Sequence, residues 1–322
     1  MTHAPLRIAL VGAGTMGAHH ARVINDSASA ELAVLVDPRE DVAGPIAAKF
    51  GATWTPELTE LTDIDAVVVA AATEAHHDLA MSIIDQQKPL LIEKPVADSL
   101  LKTERILDAA EKVDLPFMCG LLERFNPAIL TARAMDLHPF HVTATRHSPY
   151  ASRIRTGVAW DLLVHDVDLA GILMGGEPTG VSAQLGFVHP ESLPSAEDVA
   201  EVVLTYGDSR LAQISASRVG QRKVREFIVY EHDRMIEIDL LRRGVTIYRH
   251  ISENSADGEG RGYKQQTVIE IPEMVSSREP LTAQFEHFVA LIEGRADATA
   301  ERASILPSHR IIERVTQQRP RI

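Results

Sequence analysis

Through the first 120 residues, short apolar runs alternate with longer stretches of helical spacing. Leu6–Val11, Leu32–Val36, Ala66–Ala71 and Pro89–Ile92 are dense in Val, Ile and Leu, which predicts strands buried on both faces. Thr15–Asn25, Arg39–Phe50, Glu74–Gln87 and Ser99–Val113 are Ala-rich and repeat apolar positions at helical intervals, predicting amphipathic helices. Strand–helix–strand alternation of this length needs right-handed crossovers and builds a parallel sheet covered on both faces. The first half is expected to be doubly wound.

Beyond Cys119 the rhythm changes. Asn126–Leu137 and Asp161–Met174 keep helical spacing. Val181–His189, Glu201–Tyr206, Leu211–Ser217, Glu226–Tyr230, Met235–Leu240 and Val245–His250 form a run of predicted strands. Tyr206–Ser209 and Glu231–Arg234 have the composition of hairpin turns, so the pairing is expected to be mostly antiparallel. Ser252–Gly262 is polar and glycine-rich, the pattern of a mobile loop. Two helices, Thr282–Glu293 and Ala300–Gln318, are predicted last. The expectation is an α/β protein of two domains. Residues 1–120 form the doubly wound unit, and 121–322 form an α+β unit with a large, mostly antiparallel open sheet. A length of 322 residues agrees, being about twice an ordinary domain.

Charge and composition narrow the partners. A net charge of −13 repels polyanions, which argues against nucleic acid or an anionic membrane surface. The single cysteine, Cys119, supplies neither an internal disulfide nor a cysteine zinc site. No apolar run approaches the about 20 residues that span a bilayer. Leu6–Val11 is too short for a signal-peptide core and runs into glycines. A soluble, cytoplasmic protein is expected. Residues 121–160 reverse the overall sign, with five arginines against two acidic residues, which permits a local pocket for a small anion.

Gly12-Ala-Gly14-Thr-Met-Gly17 follows the first predicted strand and opens the first helix. In that setting Gly12 allows a tight turn, Gly14 admits a diphosphate to the backbone, and Gly17 lets helix and strand approach. The helix N-terminus then offers N–H groups and a positive dipole end to phosphate. Asp37 ends the second strand and is placed to accept from an adenosine ribose diol, which favours NAD over NADP. Arg39 stands close enough to meet the extra phosphate of NADP. Thr15, Met16, Thr73, His76, Glu93 and Lys94 complete the expected cofactor contacts.

Glu93-Lys94-Pro95 ends the strand Pro89–Ile92, on the edge where doubly wound sheets bind ligands. A lysine there can hydrogen-bond a reacting hydroxyl, although a lysine after a strand, taken alone, is more often a surface charge. Further on, Asp161, His165 and Asp168 fall at i, i+4 and i+7 of a helix otherwise nearly all Leu, Val, Ile and Ala. No Lys, Arg or Glu occurs from Thr156 to Gly176, so the stripe is not an ordinary solvated face. His165 could take a proton from an alcohol with Asp161 supporting it; a helix cap and a satisfied core histidine are the bland alternatives. His19-His20 and His76-His77 lack compact metal spacing, and no metal is expected.

Taken together, Gly12-x-Gly14-x-x-Gly17, Asp37, Glu93-Lys94-Pro95 and Asp161-x-x-x-His165 resemble the Gfo/Idh/MocA oxidoreductase family over essentially the whole chain. The resemblance implies a Rossmann domain followed by an α/β domain whose open sheet mediates homodimers or homotetramers. It implies a nicotinamide cofactor and a sugar substrate, with Lys94, Asp161 and His165 around the carbon oxidised. Glu123-Arg-Phe-Asn-Pro127 and Arg153-Ile-Arg155 are similar to the branch of that family that oxidises UDP-linked amino sugars at C3. Here the proline and aspartate that usually flank the arginine pair are replaced by Ser152 and Thr156, and Trp160 stands beside Asp161. Arg153 and Arg155 suit a diphosphate, and Arg124 and Asn126 suit sugar hydroxyls or a domain junction. The alternatives are a dehydrogenase of a free sugar, inositol or sugar phosphate, and a non-catalytic NAD sensor.

Overall fold

Register and burial in a computed structural model, which describes residues 4–152, 154–255 and 262–318, divide the chain into two units. The first comprises residues 1–122 and 280–310, the second 123–279 and 311–322. The C-terminal helices therefore do not all belong with the second half, as the sequence expectation of 1–120 and 121–322 had them. Helical periodicity reveals an apolar face but not which sheet that face covers.

In the first unit the elements run β1 (Leu6–Val11), α1 (Thr15–Asn25), β2 (Ala30–Val36), α2 (Glu40–Phe50), β3 (Thr53–Thr55), β4 (Ala66–Val69), α3 (Thr73–Asp85), β5 (Leu90–Ile92), α4 (Leu100–Lys112) and β6 (Phe117–Cys119). Every pairing is parallel and the strand order is β3-β2-β1-β4-β5-β6. That order reverses at β1 and β4, the point where a doubly wound sheet opens a crevice for ligands. Ile8, Leu10, Leu35, Val67, Leu90 and Phe117 are fully buried, as expected of strands in a parallel sheet covered on both faces. The three-residue strands β3 and β6 are too short to show a period, and the sequence reading missed both.

In the second unit α5 (Pro127–Arg133), β7 (His141–His147), α6 (Val164–Met174), β8 (Gly180–Gly186), β9 (Val199–Thr205), β10 (Leu211–Ser217), β11 (Val224–Tyr230), β12 (Met235–Asp239), β13 (Gly244–Ser255) and β14 (Gly262–Glu270) follow. They form one sheet in the order β14-β13-β12-β11-β7-β10-β9-β8, antiparallel except where β10 meets β7. Helix α6 packs on β7 and β10, and α5 on β12 and β13, so one face of the sheet is covered. Both β7 and β14 lay outside the sequence prediction. Part of the Ser252–Gly262 segment, residues 256–261, lies outside the described residues.

Where two C-terminal helices are predicted, there are α7 (Pro280–Ile292), α8 (Ala298–Ala303) and α9 (Leu306–Thr316). Asp297 caps α8 by accepting from the Ala300 amide at 2.9 Å. Arg302 of α8 donates to the Leu115 carbonyl just before β6 at 2.8 Å, and the Val96 amide donates to His309 at 3.3 Å. Among the described residues no helix is long and apolar enough to cross a membrane.

Candidate active site

Three glycines shape the turn after β1. Gly12 has φ +101°, in the left-handed region, and a side chain there would lie 2.5 Å from the Ala70 carbonyl oxygen. A Cβ on Gly17 would lie 1.9 Å from the Gly12 carbonyl oxygen, so α1 rests against the turn only because that side chain is missing. Gly14 is different, since a Cβ there would meet nothing within 4 Å. Its bareness serves no internal packing; it leaves the approach to the α1 N-terminus open, as a diphosphate on backbone amides requires. Thr15, exposed, and Met16, half-buried, begin that helix, and the half-buried Thr73 begins α3.

Beside the turn lies a cleft of about 650 Å³ lined by Gly12, Gly14, Asp37, Arg39, Pro56 and Leu58 among others. Its size and mixed apolar and polar walls suit a nucleoside. Asp37 is only 4% exposed and accepts from the Ala13 amide at 2.8 Å and the Arg39 amide at 2.9 Å. The Arg39 guanidinium adds bonds of 2.9 and 2.8 Å to the same carboxylate. That fork, opposed by burial and aided by the Ala13 amide, lowers the Asp37 pKa from 3.8 to about 2. The residues fit an adenosine ribose: an ionised acceptor at the end of β2, with an exposed arginine at its side.

Register places Val11, Val69 and Ile92 in adjacent pairs, so β1, β4 and β5 leave the sheet at one edge. Glu93 and Lys94 therefore emerge on the same edge as the glycine turn. Lys94 is half-buried, while Glu93 is buried and accepts from His20 at 2.9 Å rather than facing the cleft. His76 is 1% exposed, and its two ring nitrogens lie 2.9 and 3.1 Å from the Pro95 and Ala71 carbonyl oxygens. Its ring thus ties the Lys94 loop to the end of β4.

In the second unit, the helix that carries Asp161 and His165 does not begin as an α-helix. Ala159–Leu163 forms a π-helical turn, and α6 starts at Val164. Such insertions alter the angular spacing across them and recur at functional sites. The buried Glu197 carboxylate sets the turn, accepting from the Ala159 amide at 3.0 Å. Gly157 makes room, because a Cβ there would lie 2.1 Å from that carboxylate. Asp161 and His165 are both half-buried.

The third member of the predicted stripe, Asp168, is engaged elsewhere. Arg124 grips it through Nε at 2.7 Å and Nη2 at 2.6 Å, and both residues are buried. Asn126 caps α5 by accepting from the Ala128 amide at 3.1 Å, and its amide group donates to Glu123 and the Leu240 carbonyl. Glu123 in turn accepts from Arg146 at 2.9 Å and from Arg225 at 3.3 Å. Arg146 also forks onto Asp166. Burial disfavours the charge on Arg146, but Asp166 and Glu123 outweigh it and raise the pKa above that of ordinary arginine. Sequence reasoning missed this network; the signal was opposite charges embedded in apolar periodic segments.

Arg153 lies outside the described residues, and Arg155 is exposed. The buried Arg218 donates to the carbonyls of Ile154, at 3.4 Å, and Thr156, holding the backbone on which Arg155 sits.

Residues 6–121 match an oxidoreductase family described by its NAD-binding Rossmann fold, and residues 130–237 match the GFO/IDH/MocA C-terminal domain. The chain is 27% identical over 290 residues to the UDP-N-acetylglucosamine 3-dehydrogenase of Acidithiobacillus ferrooxidans, covering 89% of this chain and 88% of that one. It is 26% identical over 306 residues to the inositol 2-dehydrogenase of Rhizobium meliloti, covering 91% and 90%. The solved structure of the Acidithiobacillus enzyme matches with a TM-score of 0.82 at 25% identity over 98% of this chain and 100% of that one. A levoglucosan dehydrogenase in complex with NADH shares the fold, with a TM-score of 0.79 at 18% identity over 98% and 96%. With an NAD-binding Rossmann sheet, its glycine turn and the matching second domain all in one chain, the protein belongs to the Gfo/Idh/MocA family of oxidoreductases.

Proposed function

We propose that this NAD-binding oxidoreductase is a sugar dehydrogenase that prefers NAD to NADP and acts on a secondary alcohol, with C3 of a UDP-linked amino sugar as its leading substrate. One observation carries the reading: a half-buried lysine and the dinucleotide turn leave the parallel sheet at the same edge. A cofactor-binding protein without chemistry has no need of Lys94 there. Asp37 supports the cofactor preference, because its carboxylate can accept from a ribose diol and repels an added phosphate.

The nicotinamide, when bound, supplies the acceptor for the carbon-bound hydride. His165 takes the hydroxyl proton, and Asp161 stabilises the charge that the imidazole gains. Lys94 donates a hydrogen bond to the oxygen as alkoxide charge develops. Arg124 and Asn126 act by holding the start of the second unit through Asp168, Glu123 and the α5 cap. Arg153 and Arg155 are the proposed contacts to the substrate diphosphate.

A second reading, oxidation of a free sugar, inositol or sugar phosphate, is supported by the inositol 2-dehydrogenase relative and by Ser152 and Thr156 flanking the arginine pair. Incubation with NAD and a panel of UDP-N-acetylglucosamine, N-acetylglucosamine, myo-inositol and glucose 6-phosphate, followed by NADH absorbance, separates the two. Turnover confined to the nucleotide sugar, with KM raised in Arg155→Ala, is the expected result. Faster turnover of a free sugar, inositol or the sugar phosphate selects the second reading. No turnover with any of them while NAD still binds rejects both.

Assembly as a homodimer or homotetramer is part of the same proposal. Register aligns Leu211, His141, Tyr230, Met235, Tyr248 and Ile269 in one row across the sheet. That row supplies a stripe of apolar and aromatic side chains, with His141 stacked on Tyr230, suited to a second copy.

A further inference from the structure

Glu93 and His20 are a buried pair for which the proposed chemistry has no use. His20 is 0% exposed on α1, one turn beyond Gly17, and its Nε2 lies 2.9 Å from Glu93 Oε1. The other Glu93 oxygen accepts from the backbone N–H of Lys94 at 3.3 Å. Behind it sits Gly120, where a Cβ would be 2.8 Å from that oxygen and 3.0 Å from Glu93 Cα. The carboxylate is therefore seated against bare backbone after β6. Among the described residues His20 Nδ1 has no hydrogen-bond partner, which is met best by the tautomer carrying its proton on Nε2.

A Rossmann core packs well with apolar side chains alone, and a buried carboxylate–imidazole pair is costly by comparison. What the pair adds is direction. One end is fixed in the helix that receives the cofactor diphosphate, and the other ends on the amide of Lys94. We propose that His20 and Glu93 are positioning residues that hold Lys94 relative to the glycine turn, touching neither cofactor nor substrate. This deepens the site reading and rests on Lys94 acting in the reaction.

The test is a double-mutant cycle on the full-length protein, assayed with NAD and UDP-N-acetylglucosamine or the panel sugar that turns over. Glu93→Gln and His20→Leu should each lower kcat by about 10- to 100-fold, the scale of a misplaced catalytic group. The Kd for NAD, measured by calorimetry, should change by no more than about threefold. His20→Gln, whose amide can still donate to Glu93, should recover most of the loss. In a Lys94→Ala background, Glu93→Gln should add less than about twofold, because nothing remains to be positioned. A readout independent of turnover is hydrogen exchange of the Lys94 amide in the free protein, expected to quicken about 10-fold in Glu93→Gln and His20→Leu.

Additive losses in the cycle, or an NAD affinity that falls in step with kcat, would overturn the positioning role and leave Lys94 in place. So would kcat within about twofold of wild type in Glu93→Gln and His20→Leu. Unimpaired turnover in Lys94→Ala itself would overturn the site reading and this inference with it.

Discussion

Arg146 and Asp166 meet as a fork on a carboxylate, with Nε at 3.0 and 2.9 Å and Nη2 at 2.7 Å, both side chains 1% exposed. The other inward positions of β7 are Val142 and Ala144, so the strand yields one apolar place to a cation. Helix α6 gains a directional anchor beside His165. Apolar packing resists separation of a helix from a sheet but only weakly resists small rotation; a two-point ion pair resists both.

Removing that anchor should be expensive. Arg146→Met leaves Asp166 and Glu123 buried without their main counter-charge, a loss of about 3–5 kcal/mol. Urea unfolding of the full chain measures it, and a loss below about 1 kcal/mol would contradict the account. Arg146→Lys keeps the charge without the fork and should fall between.

Asp37 has a pH signature. Its folded pKa is depressed, so its contribution to stability is complete above the ordinary 3.8 and disappears as pH falls through about 2. Carboxyl-carbon NMR titration should find its midpoint near 2, and Arg39→Ala should move it upward. A midpoint at the ordinary value in wild type would show that the Arg39 fork does not persist in solution.

The glycines of the turn should separate stability from binding. Gly14→Ala meets no neighbouring atom and should unfold like wild type, yet weaken NAD by about 10-fold or more, or about 1.4 kcal/mol. Gly17→Ala must displace backbone and should lose both stability and binding. Equal NAD affinity in Gly14→Ala and wild type would remove the diphosphate from that turn.

Turnover should depend on side chains that cofactor binding does not need. Lys94→Ala and His165→Ala are each expected to lose about 10² in kcat while retaining NAD affinity. Steady-state kinetics beside calorimetric NAD titration checks this, and near-normal kcat in both variants would dissolve the proposed proton-handling set.

Much of the first unit was legible because most of its strands are dense in buried Val, Ile and Leu and its first turn carries glycine. Helix α1 matched at both ends, Gly14 preceding it and Asp26 ending it. Strand β7 escaped for the opposite reason, since Arg146 breaks the alternation that would mark a buried face and its partner Asp166 lies 20 positions away. The same remoteness hid the partner of Arg124, a residue expected at sugar hydroxyls or a domain junction, which grips Asp168 44 positions on. Asp161, His165 and Asp168 read as one helical stripe, whereas Asp161 lies in the π turn, His165 in α6, and Asp168 is held by Arg124. Residue types announced the presence of charge in an apolar setting; pairing between distant segments decided its use.

The return of residues 280–310 to the first unit also bears on how the protein is made. While the ribosome is still translating the antiparallel sheet, the carbonyl of Leu115 lacks Arg302 and the amide of Val96 lacks His309. The nucleotide-binding unit cannot complete these two contacts until residues 302 and 309 have been made. A nascent chain stalled near residue 279 should remain protease-sensitive around Val96 and Leu115 and should bind NAD poorly, although every residue of its glycine turn has already been synthesised.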